Sequence, residues 1–318
     1  MKLRTVYELA VKKGMMDDLR SRDVIVKTLS DSRKDYKKAK GIDKKTFDKA
    51  RLTNPYADTR ILAGSGEEEV KNVLVGIDVE VAEILMADRL REQGVKIDLI
   101  IGHHPEGKAL TQLHEVMKIQ SSLWEKLGLS KKVAEGIMKE RIEEVARNLA
   151  PVNCTRAEDA AKILGIPFMC IHTAADNCVT NYLQKLFDKK KPKDLKGVLN
   201  LLKAIPEYQE GMRHNVGPSI LIGDEKSAAG KIFVDMTGGT SGPSNLYPRL
   251  SQVGVGTVVG MHCKESSYKI AKTEYINYVI AGHMASDTLG LNLVFDFIEK
   301  KEKLNFIECS GFKRTRRK

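Results

Sequence analysis

Four apolar runs in this chain end on histidine: "DLIIG" on His103 and His104, "PFMCI" on His172, "VVGM" on His262 and "YVIAG" on His283. Those four ends collect five of the seven histidines. Two of them carry a carboxylate at a fixed distance. "HTAAD" sets Asp176 four residues after His172, and "HMASD" sets Asp287 four residues after His283. If a helix opens at such a histidine, a spacing of four brings both side chains onto one face. Neutral imidazole and carboxylate are ligands that borderline divalent cations prefer. Adjacent His103 and His104 diverge too much to grip one ion easily, but each can serve a different ion of a pair. Three imidazole-bearing strand ends and two carboxylates suit two metals about 3.5–4 Å apart. Any one pair taken singly is also what a helix cap or a local hydrogen bond uses. Their repetition is what points to metal.

The surrounding elements have to bring these ends together. Short apolar runs alternate with amphipathic stretches, the pattern of an α/β protein. "VKNVLVGID", "IDLIIGHH" and "IPFMCIH" read as strands of a first half, and "SILIGD", "KIFVDMTGG", "VGTVVGMH" and "INYVIAGH" as strands of a second. A helix "TLGLNLVFDFIEKKEKL" and a last strand "NFIECSG" follow. Residues 1–55 read as a helical N-terminal extension ended by Asn54-Pro55. Residues 56–190 read as a first α/β domain, and residues 191–318 as a second with a basic C-terminal tail. Ligand sites in such sheets lie at the carboxyl ends of strands. The five metal candidates are therefore His103, His104, Asp176, His283 and Asp287. His172 and His262 remain as imidazoles able to act as acid or base. Asp78, between a strand and "VEVAEILMADRLREQG", reads as that helix's N-cap.

Composition narrows the class. With 318 residues, 42% hydrophobic and 30% charged, the chain is an ordinary folded protein. No apolar run approaches a membrane span. The N-terminus has no apolar core of a secretory signal, and five cysteines without a C-x-x-C pair suit free thiols in a reducing cytoplasm. A net charge of +11 is scattered over lysine-rich segments, with aromatics at only 6% and no nucleic-acid-binding motif. It reads as a solvated basic surface, and "FKRTRRK" as a frayed tail. "DMTGGTSGPSNLYPRL" lacks the P-loop lysine and reads as a tight turn.

Three ordered segments carry a resemblance: "GIDVEVAEIL…DLIIGHHP", "IHTAADN" and "IAGHMASDTLGLNLVFD". They are similar to the signature segments of the NIF-three-like family, whose bacterial members are often called GTP cyclohydrolase I type 2 homologues. The resemblance runs from about residue 60 to the C-terminus. It implies two related α/β domains with a metal cleft between them, and a homo-oligomer, commonly a hexameric ring. It also implies two divalent ions (zinc, iron or manganese) held by His103, His104, Asp176, His283 and Asp287. The last ligand is usually glutamate in the family, and here it is the shorter Asp287. Where a Thr-Gly-Glu is common, this chain has Met261 and His262. The expected function is a metal-dependent hydrolase acting through activated water on a nucleotide- or phosphate-like small molecule. The alternative is a metal-binding, metal-delivery or regulatory protein without turnover.

Overall fold

A computed structural model describes residues 1–317, and its two sheets repeat one plan. β1 (Arg60–Ala63), β2 (Asn72–Gly76), β3 (Leu99–Gly102) and β4 (Phe168–Cys170) lie in the order β1-β4-β3-β2. β5 (Ser219–Ile222), β6 (Lys231–Asp235), β7 (Val255–Gly260) and β8 (Asn277–Ile280) lie in the matching order β5-β8-β7-β6. In each sheet the first strand is antiparallel to its neighbour and the rest are parallel. The central strands β2, β3 and β4 are almost wholly buried, as strands covered on both faces must be.

The boundaries read from sequence need two corrections. β9 (Asn305–Glu308) pairs with β2, so the chain's last strand completes the first sheet although it follows the second. Residues 1–55 are not a mere extension either. Helix Leu3–Asp17 buries Leu3, Val6 and Ala10 completely and packs against helices Thr173–Lys190 and His283–Ile298. Its apolar residues recur at helical spacing because this face is core. Helix Arg22–Lys38 buries only Ile25 and Ser32, and that part does sit outside. Several elements go unread in the sequence, among them β1, the helix pair Leu195–Lys203 and Pro206–Arg213, and helix Glu265–Thr273. No helix among the described residues is long and apolar enough to cross a membrane.

The two helices that follow β4 and β8 pack directly on one another. Gly290 makes this approach possible: a Cβ there would stand 2.6 Å from the Ala175 carbonyl oxygen. Ala175 adjoins Asp176, and Gly290 lies one turn beyond Asp287. The close contact therefore brings the two H-x3-D segments, one from each half, to the same place.

The tail is not frayed through residue 317. Phe312 is buried, Arg314 pairs with Asp296 and Glu299, Arg316 with Glu299, and Arg317 takes Glu207 in a fork at 2.7 and 2.8 Å. Lys318 lies outside the described residues.

Candidate metal centre

Each candidate is positioned by a strand end or by the first turn of the helix after it. β3 stops at Gly102, and His103 and His104 turn out of the sheet with their amides bonded back to the Gly76 and Ile77 carbonyls. β4 leads into helix Thr173–Lys190 with His172 at its N-cap position, and β8 leads into helix His283–Ile298. The spacing of four works as expected: His172 Nε2 lies 3.8 Å from Asp176 Oδ2, and His283 Nε2 lies 3.5 Å from Asp287 Oδ2.

The sequence-predicted residues converge. His103 Nε2 stands 3.4 Å from both Asp176 Oδ1 and Asp287 Oδ1, and His104 Nε2 stands 3.4 Å from Asp287 Oδ2. Three overlapping groups can each hold an ion: His103, Asp176 and Asp287; His104, His283 and Asp287; His103, His104 and His172. Asp287 spans the first two, one oxygen toward each. His262 is exposed at the edge of the cluster, its ring 5.0 Å from that of His283.

Orientation is fixed from behind. His103 Nδ1–H donates to the Ile171 carbonyl at 2.9 Å, which places its proton on Nδ1. His172 Nδ1 meets Asp58 Oδ2 at 2.8 Å, and His104 Nδ1 meets Asp78 Oδ1 at 2.5 Å. Each contact occupies Nδ1 and leaves Nε2 facing the cluster, the arrangement typical of ligating histidines. Asp78 is thus not the cap read from sequence. Glu80 caps the helix instead, in a reciprocal box with Glu83. Asp58 and Asp78 were both missed as site residues. Asp58 lies just before β1 in "NPYADTR", where no spacing signals a role, yet it is fully buried and also accepts from Thr173 Oγ1.

Electrostatics show what the cluster demands. Burial alone would push the His103 pKa down, but the charges of Asp287 and Asp176 outweigh it and raise it to about 10. Burial would push Asp287 up, and His103, His104 and His283 instead hold it well below the carboxylate range. Two buried carboxylates side by side require positive charge between them, from protons or from a metal. His283 and His262 both have lowered pKa values, first through burial.

The cluster forms one wall of a cavity of about 300 Å³ lined by both halves. Its other walls include Leu113, Met236, Leu246, Tyr247, Tyr278 and the turn 237–243. That turn is the glycine-rich segment, with positive φ at Gly238 and Gly239. Its carbonyls are taken by Gln120 Nε2, which donates to Gly238 and Thr240, and by Arg141, which donates to Ser241. Glu106 also faces the cavity, pushed up to about 7 by burial and then by Glu80. Cys170 and Cys178 are buried behind the "HTAAD" turn.

No protein-family model matches this sequence, and no curated protein matches it. Solved structures do match. A NIF3 superfamily protein from Sphaerobacter thermophilus superposes with a TM-score of 0.69 at 24% identity, covering 80% of this chain and 91% of that one. HcgD from Methanocaldococcus jannaschii, in its reduced form, superposes with a TM-score of 0.50 at 15% identity, covering 91% of this chain and 97% of that one. The chain has the fold of the NIF3 superfamily structure.

Proposed function

We propose that this chain is a member of the NIF-three-like family that holds two divalent metal ions and uses them for hydrolysis of a small molecule bound in the adjoining cavity. One observation carries the metal reading. Among the described residues, His103 Nε2, Asp176 Oδ1 and both carboxylate oxygens of Asp287 are buried without a hydrogen-bond partner, and these residues fall in overlapping groups whose ligand atoms lie within 4.8 Å of one another. Leaving such groups unmet costs about 1–3 kcal/mol each, more when charged, unless something else satisfies them. Their spacing suits a cation: two ligands roughly 2.1 Å from an ion at a tetrahedral angle stand roughly 3.4 Å apart.

One ion would take His103, Asp176 and Asp287, and the other His104, His283 and Asp287, with His172 beside the first. Such ions supply Lewis acidity and lower the pKa of water toward neutrality. The chain's own groups do the remainder. Asp58 and Asp78 hold His172 and His104 in register. Asp287 joins the two groups. His262, whose pKa is lowered first by partial burial and then by His283 and Lys264, can take or give a proton at the cavity mouth. Imidazole with carboxylate suits zinc, iron or manganese. The family reading also carries a homo-oligomer and a cytoplasmic location.

The protein purified without chelator is expected to contain stoichiometric transition metal by elemental analysis. A panel of phosphoesters and nucleotides should show a turnover that chelation abolishes and added metal restores. Protein holding no metal sinks the proposal. Bound metal without turnover on any of the panel leaves the storage or delivery reading in its place. The supporting residues make a separate prediction. Asp78→Asn keeps the size of the side chain but weakens its hold on the ligand His104, and should lower metal affinity about 10- to 100-fold in chelator competition.

A further inference from the structure

The two sheets repeat, so their strand ends can be compared position by position. Gly76 ends β2 opposite Gly102, and Asp235 ends β6 opposite Gly260. In the first half the position is a glycine closed over by Val79, Cys309 and Ser310. In the second half it carries a carboxyl group that lines the cavity shared with the metal cluster. Among the described residues no side chain or amide donates a hydrogen bond to Asp235, and no cation lies within ion-pairing distance of it. Its neighbours along the wall are Tyr247, Tyr278, Met236 and Cys263. Asp235 is half-buried, so its carboxylate meets the open space of the cavity instead of a protein partner, the place a ligand's donors would take.

We propose that Asp235 is the recognition residue of the cavity for a cationic nitrogen head of the ligand, of the amidinium or guanidinium type, presenting two N–H donors to the carboxylate. This rests on the reading of the cavity as the substrate pocket. A carboxylate accepts such a fork through two parallel hydrogen bonds. The apolar and aromatic side chains beside it suit the flat body of a ring or conjugated plane. The metal cluster at the other wall would meet the electronegative end of the same molecule. Burial also pushes the Asp235 pKa up to about 6, so a cationic partner would meet a carboxylate that gains more from pairing than an exposed one.

Benzamidine is the probe, since it joins an amidinium to an aromatic plane. By calorimetric titration of the full chain, benzamidine should bind more tightly than benzamide, and benzoate should not compete with it. Asp235→Asn should weaken benzamidine by about tenfold to a hundredfold, the worth of a charge-assisted pair. The comparison of the three probes on wild-type protein does not depend on the variant folding. Elemental analysis of the same Asp235→Asn sample should show its metal retained. Equal affinity in wild type and variant, or no benzamidine binding at millimolar concentration, overturns the proposal. Selective benzamidine binding by protein that holds no metal would sink the metal reading and leave this one standing.

Discussion

Asp287→Ala is expected to strip the protein of most of its bound metal, leaving far less per chain than wild type after gel filtration. No other side chain touches as many of the candidate ligands. Its Oδ1 lies 3.4 Å from His103 Nε2, and its Oδ2 lies 3.4 Å from His104 Nε2 and 3.5 Å from His283 Nε2. Removing it takes an anionic ligand from both groups at once, whereas Asp176→Ala reaches only the His103 group. Second-sphere losses cost about 10- to 100-fold in affinity, so a shared first ligand should cost more than about 100-fold in chelator competition. Asp287 is 1% exposed, so a folding defect has to be separated from a binding one. Asp287→Asn does this, since it preserves volume and loses only charge. It should unfold near the wild-type temperature of metal-free protein while losing metal as fully as the alanine. Metal content unchanged in Asp287→Asn would mean that the carboxylate is structural.

How much of this site could be read in advance depends on whether its partners are local in sequence. His172 with Asp176, and His283 with Asp287, were legible because a helical turn fixes their geometry without help from the fold. The parallel strands were legible as apolar runs. The residues that orient the imidazoles were not: Asp58 reaches His172 across 114 positions, and Asp78 reaches His104 across 26. Asp235 carries no local signal, and its interest appears only when the two sheets are compared. Helix Leu195–Lys203 goes unread beside the lysine-rich segment that precedes it, although its buried Leu195, Val198, Leu199 and Leu202 recur at helical spacing. The tail misled for the same reason as Asp58. "FKRTRRK" looks like solvated cation because the acids that take it up, Glu207, Asp296 and Glu299, lie 15 to 110 positions away.

That tail yields the second large effect. Arg314→Ala together with Arg317→Ala should lower the unfolding temperature by on the order of 10 °C, since breaking a buried pair costs about 3–5 kcal/mol. The side chains left behind are the reason: Glu207 is 0% exposed and Glu299 2%. The pH dependence gives a second readout. Burial would raise the Glu299 pKa, but the Arg316 and Arg314 guanidiniums outweigh it and hold it down to about 2, against 4.5 ordinarily. A carboxyl depressed on folding contributes stability that is fully present above its unfolded pKa and is lost as pH falls through the folded one. The wild-type protein should therefore lose stability between about pH 4.5 and pH 2, and Glu299→Gln should flatten that slope. Helix His283–Ile298 has Asp296 near its far end, with Glu299 capping it, and His283 and Asp287 at its start. If the tail only fastens that far end, the double arginine variant keeps its metal at room temperature and loses it only as it melts. Metal lost well below the melting transition would mean that the tail also sets the register of the ligands.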